Sequence, residues 1–353
     1  MDKDSVRREI DALDSQILDL LAERIACAKR IGKMKAENGE EVYVPSRETI
    51  VFKNILAKNA GRIDEAALRA IYREVISASI SAEKKLIVSY LGPKATFTQQ
   101  AAVKNFGSSV DYRPMPSIPD VFASVSGGDA DYGVIPIENS TEGAVFHSMD
   151  MLRDSSLFIV GQIYMPIEHC LITRAKLDSI RKVCSKDQAI GQCREWLRRN
   201  LQNVEVEYVE STTIAVKMAR DNPEIAAIAS SIAAEYYGVP VLEKGIQDKK
   251  NNQTRFLVIG KNSVAKTAGV KYKTSLVLSV NDRPGALYDM LLPFNRANIN
   301  LTRIESRPSK TKAWSYYFFV DFEGHWDDEN VVDAVGELKK TLPMIKWLGS
   351  YPV

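Results

Sequence analysis

"KLIVSYLGPKATFTQQAAVKNF" (residues 85–106) is where the chain changes character. Leu86, Ile87 and Val88 open a short apolar run, a Gly-Pro pair follows, and helical spacing begins after it. A short apolar strand, a turn and a helix make the repeating unit of an α/β sheet. The same order returns downstream. "DYGVIPIEN" leads into "GAVFHSMDML", and "AAIAS" into "SIAAEYYG". The alternation predicts an α/β unit over residues 86–262 with a mostly parallel sheet.

Upstream of residue 85 the period is helical. Val6, Ile10, Leu13, Ile17, Leu20, Leu21, Ile31 and Met34 recur at steps of three and four. No proline precedes Pro45, so the spacing predicts one helix over about residues 5–37, roughly 50 Å long. Its far end needs a partner, which suggests an intertwined dimer. Shorter helices are predicted near 46–59 and 64–85, giving an all-α unit over 1–85. Almost no linker separates it from residue 86, so the two units are expected to pack together. Downstream, "GKNSVAKTAGVKYK" (residues 260–273) is a polar linker. After it, "TSLVLSV", "RPGALYDMLLPFNRANI", "NLTRIES", "SYYFFVDFEG", "ENVVDAVGELKKTL" and "IKWLGSYP" alternate as β-α-β-β-α-β. That is the pattern of an α+β, ferredoxin-like unit, here over 272–353.

Composition narrows the chemistry. The 353 residues carry 47 Lys and Arg against 45 Asp and Glu, a net charge of +2. Such a balance is no footprint for nucleic acid or an anionic membrane. No apolar run has the length of a bilayer span, and the N-terminus does not read as a signal peptide. The cysteines, Cys27, Cys170, Cys184 and Cys193, make no C-x-x-C pair, which suggests reduced thiols and a cytoplasmic protein. Three histidines argue against a His-built metal site. No metal or organic cofactor is expected, and the chemistry falls to hydroxyls, amides, carboxylates and cations.

Arg24 and Lys35 lie on the apolar stripe of the first helix. Cations there are costly unless anions meet them. Arg47 and Glu48 begin the second helix, and Ser79 and Glu83 are i,i+4 neighbours on the third. Singly, each fits a solvated helix surface; together they fit a pocket for a small polyanion. "RREIDALDSQILDLLAER", "IGKMKAENG", "VPSRE" and "IYREVISASISAEK" resemble the all-helical chorismate mutase family. The resemblance implies the rearrangement of chorismate to prephenate, with Arg7 (from across the dimer) and Arg24 on carboxylates. Lys35 would face the ether oxygen and a carboxylate. Arg47 and Glu48 would orient the ring hydroxyl, and Ser79 would line the site. Glu83 stands where some members carry a donor Gln.

In the α/β unit, "GPKATFT", "IENSTEG", "SKDQAIGQC", "ESTTIA" and "TRF" put hydroxyls and amides where strands end and helices start. Those are the anion-binding ends of open α/β sheets, although each cluster alone is an ordinary N-cap. "YLGPKATFTQQAA", "VIPIENSTEGAV", "EHCLI", "QAIGQC", "ESTTIAVKMA", "AAIASSIAAEYYG" and "IQDKKNNQTRFLVIG" resemble prephenate dehydratases. The resemblance implies a two-lobed fold like periplasmic binding proteins, with the site in the cleft. It makes Thr254 the catalytic hydroxyl and Arg255 a carboxylate anchor. Asn139, Ser185 and Gln192, with Thr96 and Ser211, become supporting contacts. The family's His-Pro after the loop serine is replaced by Lys186 and Asp187.

"NDRPGALYDML" and "INLTRIESRPSK" resemble the ACT domains attached to these dehydratases. They imply a phenylalanine site at Gly285, Ala286, Leu287, Asn298, Glu305, Ser306, Arg307 and Pro308, at an interface between two such domains. Alone, each motif is a turn glycine or a strand-end ion pair. The combined reading is an enzyme converting chorismate to phenylpyruvate, inhibited by phenylalanine, in a homodimer or homotetramer. An arogenate dehydratase and a non-catalytic amino-acid sensor are its alternatives.

Overall fold

The computed structural model describes residues 2–309 and 316–353. Three helices come first: α1 (Lys3–Asn38), α2 (Pro45–Asn59) and α3 (Glu65–Glu83). Gly39 in the left-handed region ends α1, and Pro45 sits at the first position of α2, as helix ends favour. Asp64 caps α3 by accepting from Ala67 N. The apolar stripe of α1 is open to solvent: Ile10, Leu13 and Ile17 are each more than half exposed.

The α/β unit has two lobes. The first holds β1 (Ile87–Leu91), α4 (Phe97–Phe106), β2 (Asp111–Met115), α5 (Ile118–Gly127), β3 (Tyr132–Asn139), β4 (Gly143–Ala144), α6 (Phe146–Asp154) and β5 (Phe158–Pro166). The second holds β6 (Cys170–Ile172), β7 (Lys182–Ser185), α7 (Asp187–Gln192), α8 (Arg194–Asn200), β8 (Glu205–Tyr208), α9 (Thr212–Asp221), β9 (Ile225–Ala229), α10 (Ser231–Tyr237) and β10 (Val241–Lys244). The chain then returns to the first lobe as β11 (Gln253–Gly260), between β3 and β5. It thus crosses between lobes twice, at 167–169 and 245–252. The sheets, ordered β2-β1-β3-β11-β5 and β10-β6-β9-β7-β8, are more mixed than the alternation predicts. β11 runs antiparallel to both neighbours because it enters from the other lobe, and β6 and β10 are antiparallel around the same crossings. Phe256, Leu257, Val258 and Ile259 of β11 are at most 2% exposed. Burying side chains of this size contributes about 1.5–3 kcal/mol each.

The last unit is β12 (Tyr272–Ser279), α11 (Ala286–Arg296), β13 (Leu301–Pro308), β14 (Tyr316–Glu323), α12 (Glu329–Thr341) and β15 (Met344–Pro352), with sheet order β13-β14-β12-β15. This is the predicted β-α-β-β-α-β; Ser315, where the sequence starts the third strand, lies outside the described residues.

The three units share seams. Tyr43, before α2, packs on Phe106 and Tyr132 with ring centroids 4.8 and 5.1 Å apart. On the other side, Ile137, Leu257 and Ile259 form one core with Val277, Phe319, Leu348 and Tyr351 of the last sheet.

Candidate active sites

A cleft of about 740 Å³ opens between the two lobes, lined by Thr96, Asn139, His169, Gln192, Ser211 and Thr254. Thr96 and Ser211 cap α4 and α9 and turn both helix N-termini toward it. Those ends carry partial positive charge and unpaired N–H groups suited to a carboxylate. Asn139 ends β3. Its Oδ1 accepts from Thr141 N at 2.9 Å, Glu142 N at 3.2 Å and Thr141 Oγ1 at 2.6 Å. The amide nitrogen therefore faces the other way and donates to Thr254 Oγ1 at 2.8 Å. Thr254, 9% exposed, accepts that bond, so its own hydroxyl hydrogen is not used on Asn139.

Two sequence expectations do not match this geometry. Arg255 does not face the cleft. Successive strand residues point to opposite faces, so Thr254 and Phe256 line the cleft while the Arg255 guanidinium enters the seam with the last domain. It lies 2.7 Å from Asp321, 3.1 Å from Glu138 and 2.8 Å from the Tyr351 hydroxyl. Arg303 of β13 reaches the same Glu138 at 2.6 Å. Ser185 is fully buried and donates to Ile228 O at 2.6 Å, behind the cleft wall. The neighbouring Lys186 lines the cleft instead, the one lysine or arginine among the described residues that do. His169 was not singled out by the sequence: "EHCLI" belongs to the resemblance to prephenate dehydratases, but nothing in the segment alone gives its histidine a role. Burial holds its imidazole below the usual histidine range, opposed by its bond to Gln192.

Between α1 and α3 a second constellation forms. Arg24 donates to Val75 O at 3.2 Å and to the Ser79 hydroxyl. Lys35 Nζ is 3.0 Å from Glu83 Oε2 and 2.9 Å from Val42 O. Gly32 permits the approach, since a Cβ there would stand 2.9 Å from Glu83 Cα. The structure thus joins Arg24, Lys35, Ser79 and Glu83. Arg7, on the exposed half of α1, pairs with Asp4 at 3.2 Å, and Arg47 is exposed. Glu48 turns to Arg73 at 2.7 Å, in a cavity of about 570 Å³ against the dehydratase-like unit. A buried carboxylate needs a counter-ion, and Arg73 supplies it. Burial raises the Glu48 pKa and Arg73 opposes the rise.

In the last domain Gly285, at φ +79°, caps α11, and Ala286 and Leu287 open that helix. Asn298 leaves it in the left-handed region at φ +52°. β13 splits the second motif by alternation. Ser306 and Pro308 lie on the α11 side, in register with Phe318 and Tyr316. Glu305 and Arg307 face the dehydratase-like unit. Arg307 binds Asp150 through two nitrogens, at 3.0 and 2.9 Å, and lies over the Phe146 ring. It is therefore spent on an interdomain pair and is not beside Gly285.

Comparisons with known proteins agree with these three units. Residues 6–84 match the family Chorismate mutase type II, 88–264 Prephenate dehydratase, and 274–340 ACT domain. The chain is 47% identical to the bifunctional chorismate mutase/prephenate dehydratase of Aquifex aeolicus over 98% of its length and 97% of that protein's. It is 40% identical to the protein of the same description from Stutzerimonas stutzeri, over 99% and 97%. The crystal structure of a prephenate dehydratase from Arthrobacter aurescens in complex with L-Phe superposes with a TM-score of 0.70 at 31% identity, covering 75% of this chain and 90% of that one. The chain belongs to the bifunctional chorismate mutase/prephenate dehydratase family.

Proposed function

We propose that the helical unit rearranges chorismate to prephenate and that the cleft converts prephenate to phenylpyruvate, under inhibition by phenylalanine at the ACT domain. The observation that carries the second step is the bond from Asn139 Nδ2 to Thr254 Oγ1, 2.8 Å long. In the reaction the ring carboxylate leaves as carbon dioxide. Its bonding pair moves into the ring, and the ring C–O bond breaks. The departing oxygen takes the Thr254 proton and leaves as water, and solvent returns a proton to Thr254. Aromatisation supplies much of the driving force, so a positioned donor of ordinary acidity suffices. The helix ends at Thr96 and Ser211, together with Lys186, receive the carboxylates.

In the mutase, Arg24 and Lys35 hold carboxylates and Lys35 stabilises charge developing on the ether oxygen, with no covalent intermediate. Arg7 completes this site from a second copy of the chain. The exposed stripe of Ile10, Leu13 and Ile17 on α1 supports a dimer or higher homo-oligomer. No described helix is long and apolar enough to cross a membrane, and we read the enzyme as cytoplasmic. The test is Thr254→Ala. Phenylpyruvate formation from prephenate should vanish while the mutase rate holds; a dehydratase rate within about threefold of wild type sinks the role of Thr254.

A further inference from the structure

Behind Thr254 the side-chain amides have only one consistent orientation. Backbone N–H groups fix Asn139 Oδ1 as an acceptor, so both hydrogens of its Nδ2 point away from them. One goes to Thr254 Oγ1 and the other to Asn252 Oδ1, each at 2.8 Å. Asn252 Oδ1 is thereby an acceptor, and Asn252 Nδ2 donates to Gln192 Oε1 at 2.8 Å. Gln192 Nε2 donates to Thr141 Oγ1 at 3.2 Å, and that hydroxyl donates to Asn139 Oδ1 at 2.6 Å. The four side chains close a ring in which every donor points the same way round. Chains of this kind polarise one another. Its branch is the bond to Thr254, which leaves the threonine hydrogen free and makes it more readily given.

The ring also spans the fold. Asn139 and Thr141 belong to the first lobe and Gln192 to the second. Asn252, 2% exposed, lies in the second crossing between lobes. His169, in the first crossing, meets the same Gln192 Oε1 at 2.9 Å. That oxygen is an acceptor, so His169 must carry its proton on Nε2. Ile167 N also donates to Asn252 O at 2.9 Å, tying the crossings together.

We infer that Asn252 is a positioning residue for the dehydratase reaction: it closes a one-way ring of hydrogen bonds across both lobes that holds Thr254 as a proton donor. The inference rests on the reading of Thr254 as the catalytic hydroxyl. Asn252→Ala removes the ring's central link. With prephenate as substrate, kcat falls by about 100-fold, as for a catalytic group displaced by about 1 Å, while KM moves less than about threefold. Asn252→Asp keeps the shape but has no N–H to give. Gln192 then turns its amide nitrogen to the introduced carboxylate, presents Nε2 to His169, and the imidazole proton moves to Nδ1. Nitrogen-15 spectra of the three histidines read this directly: Nε2–H in the native chain and Nδ1–H in Asn252→Asp. A role in packing alone moves neither tautomer nor kcat at fixed KM. A kcat of Asn252→Ala within about threefold of wild type, with Thr254→Ala inactive, overturns the inference and leaves Thr254 in its role. Activity in Thr254→Ala overturns both. If neither variant folds, the native chain still decides, because His169 protonated on Nδ1 contradicts the ring.

Discussion

Arg255 separates two ideas that the sequence alone leaves joined. As a carboxylate anchor, its loss would raise KM for prephenate and spare stability. In the structure its side chain is 3% exposed and bound to Asp321, itself 7% exposed. Arg255→Met leaves Glu138 with Arg303 at 2.6 Å, but it leaves the Asp321 carboxylate with the Ser275 hydroxyl at 2.6 Å and the Coulombic pull of Lys273 in place of its direct ion pair. Removing one partner of a buried ion pair costs roughly 3–5 kcal/mol, chiefly through the uncompensated charge that remains. For a unit of this size that lowers Tm by roughly 6–20 °C. Asp321→Asn in the same chain removes the stranded charge and should restore most of the loss. Calorimetric melting and steady-state kinetics on single and double variants form the assay. KM for prephenate should stay within about threefold in the folded protein. A KM rise above about tenfold with Tm unchanged would refute the seam assignment and return Arg255 to the substrate.

His169 is buried with its pKa below the ordinary histidine value near 6.5. Its neutral form is favoured on folding, so its stability contribution is full above about pH 6.5 and is lost as pH falls toward the lower folded value; His169→Asn should flatten the fall of Tm over that window, and an unchanged slope contradicts it. Glu83→Gln replaces the carboxylate that Lys35 holds at 3.0 Å with an amide that can donate; the mutase kcat on chorismate should be at least that of the wild type, and a fall of more than about tenfold would remove Glu83 from the ether oxygen. Gly285→Val places a side chain at φ +79° where α11 begins; dehydratase inhibition by phenylalanine should be relieved, and unchanged binding in a calorimetric titration counts against the site.

Periodicity made the architecture legible. Steps of three and four mark α1–α3, and apolar runs ended by turn residues mark the strands. For α3 and the strands these patterns reflect burial within the chain, which acts on whole elements, whereas the stripe of α1 is exposed. The polar site was legible where residues sit at strand ends, as Asn139 and Thr254 do. It failed at Arg255 because "TRF" reads as one motif, whereas alternation sends its middle residue to the opposite face. Asn252 and His169 fall in segments that carry the resemblance, but their partners were not legible, for another reason. They lie in the crossings between lobes, where no period operates and only tertiary contact assigns a partner. The pairing of Glu48 with Arg73 was not legible either, because the cavity that holds it is closed by another unit, through Asn105 and Gln162.

The core shared by Leu257 and Ile259 with Phe319, Leu348 and Tyr351 bears on how this regulation can be altered. Cutting the chain at the 260–273 linker would not detach a module. It would strip one side of the strand that carries Thr254 and bare Arg255 to water. Deregulated but active forms of this enzyme should therefore arise by single substitutions around Gly285, and truncations should appear as insoluble or unfolded products.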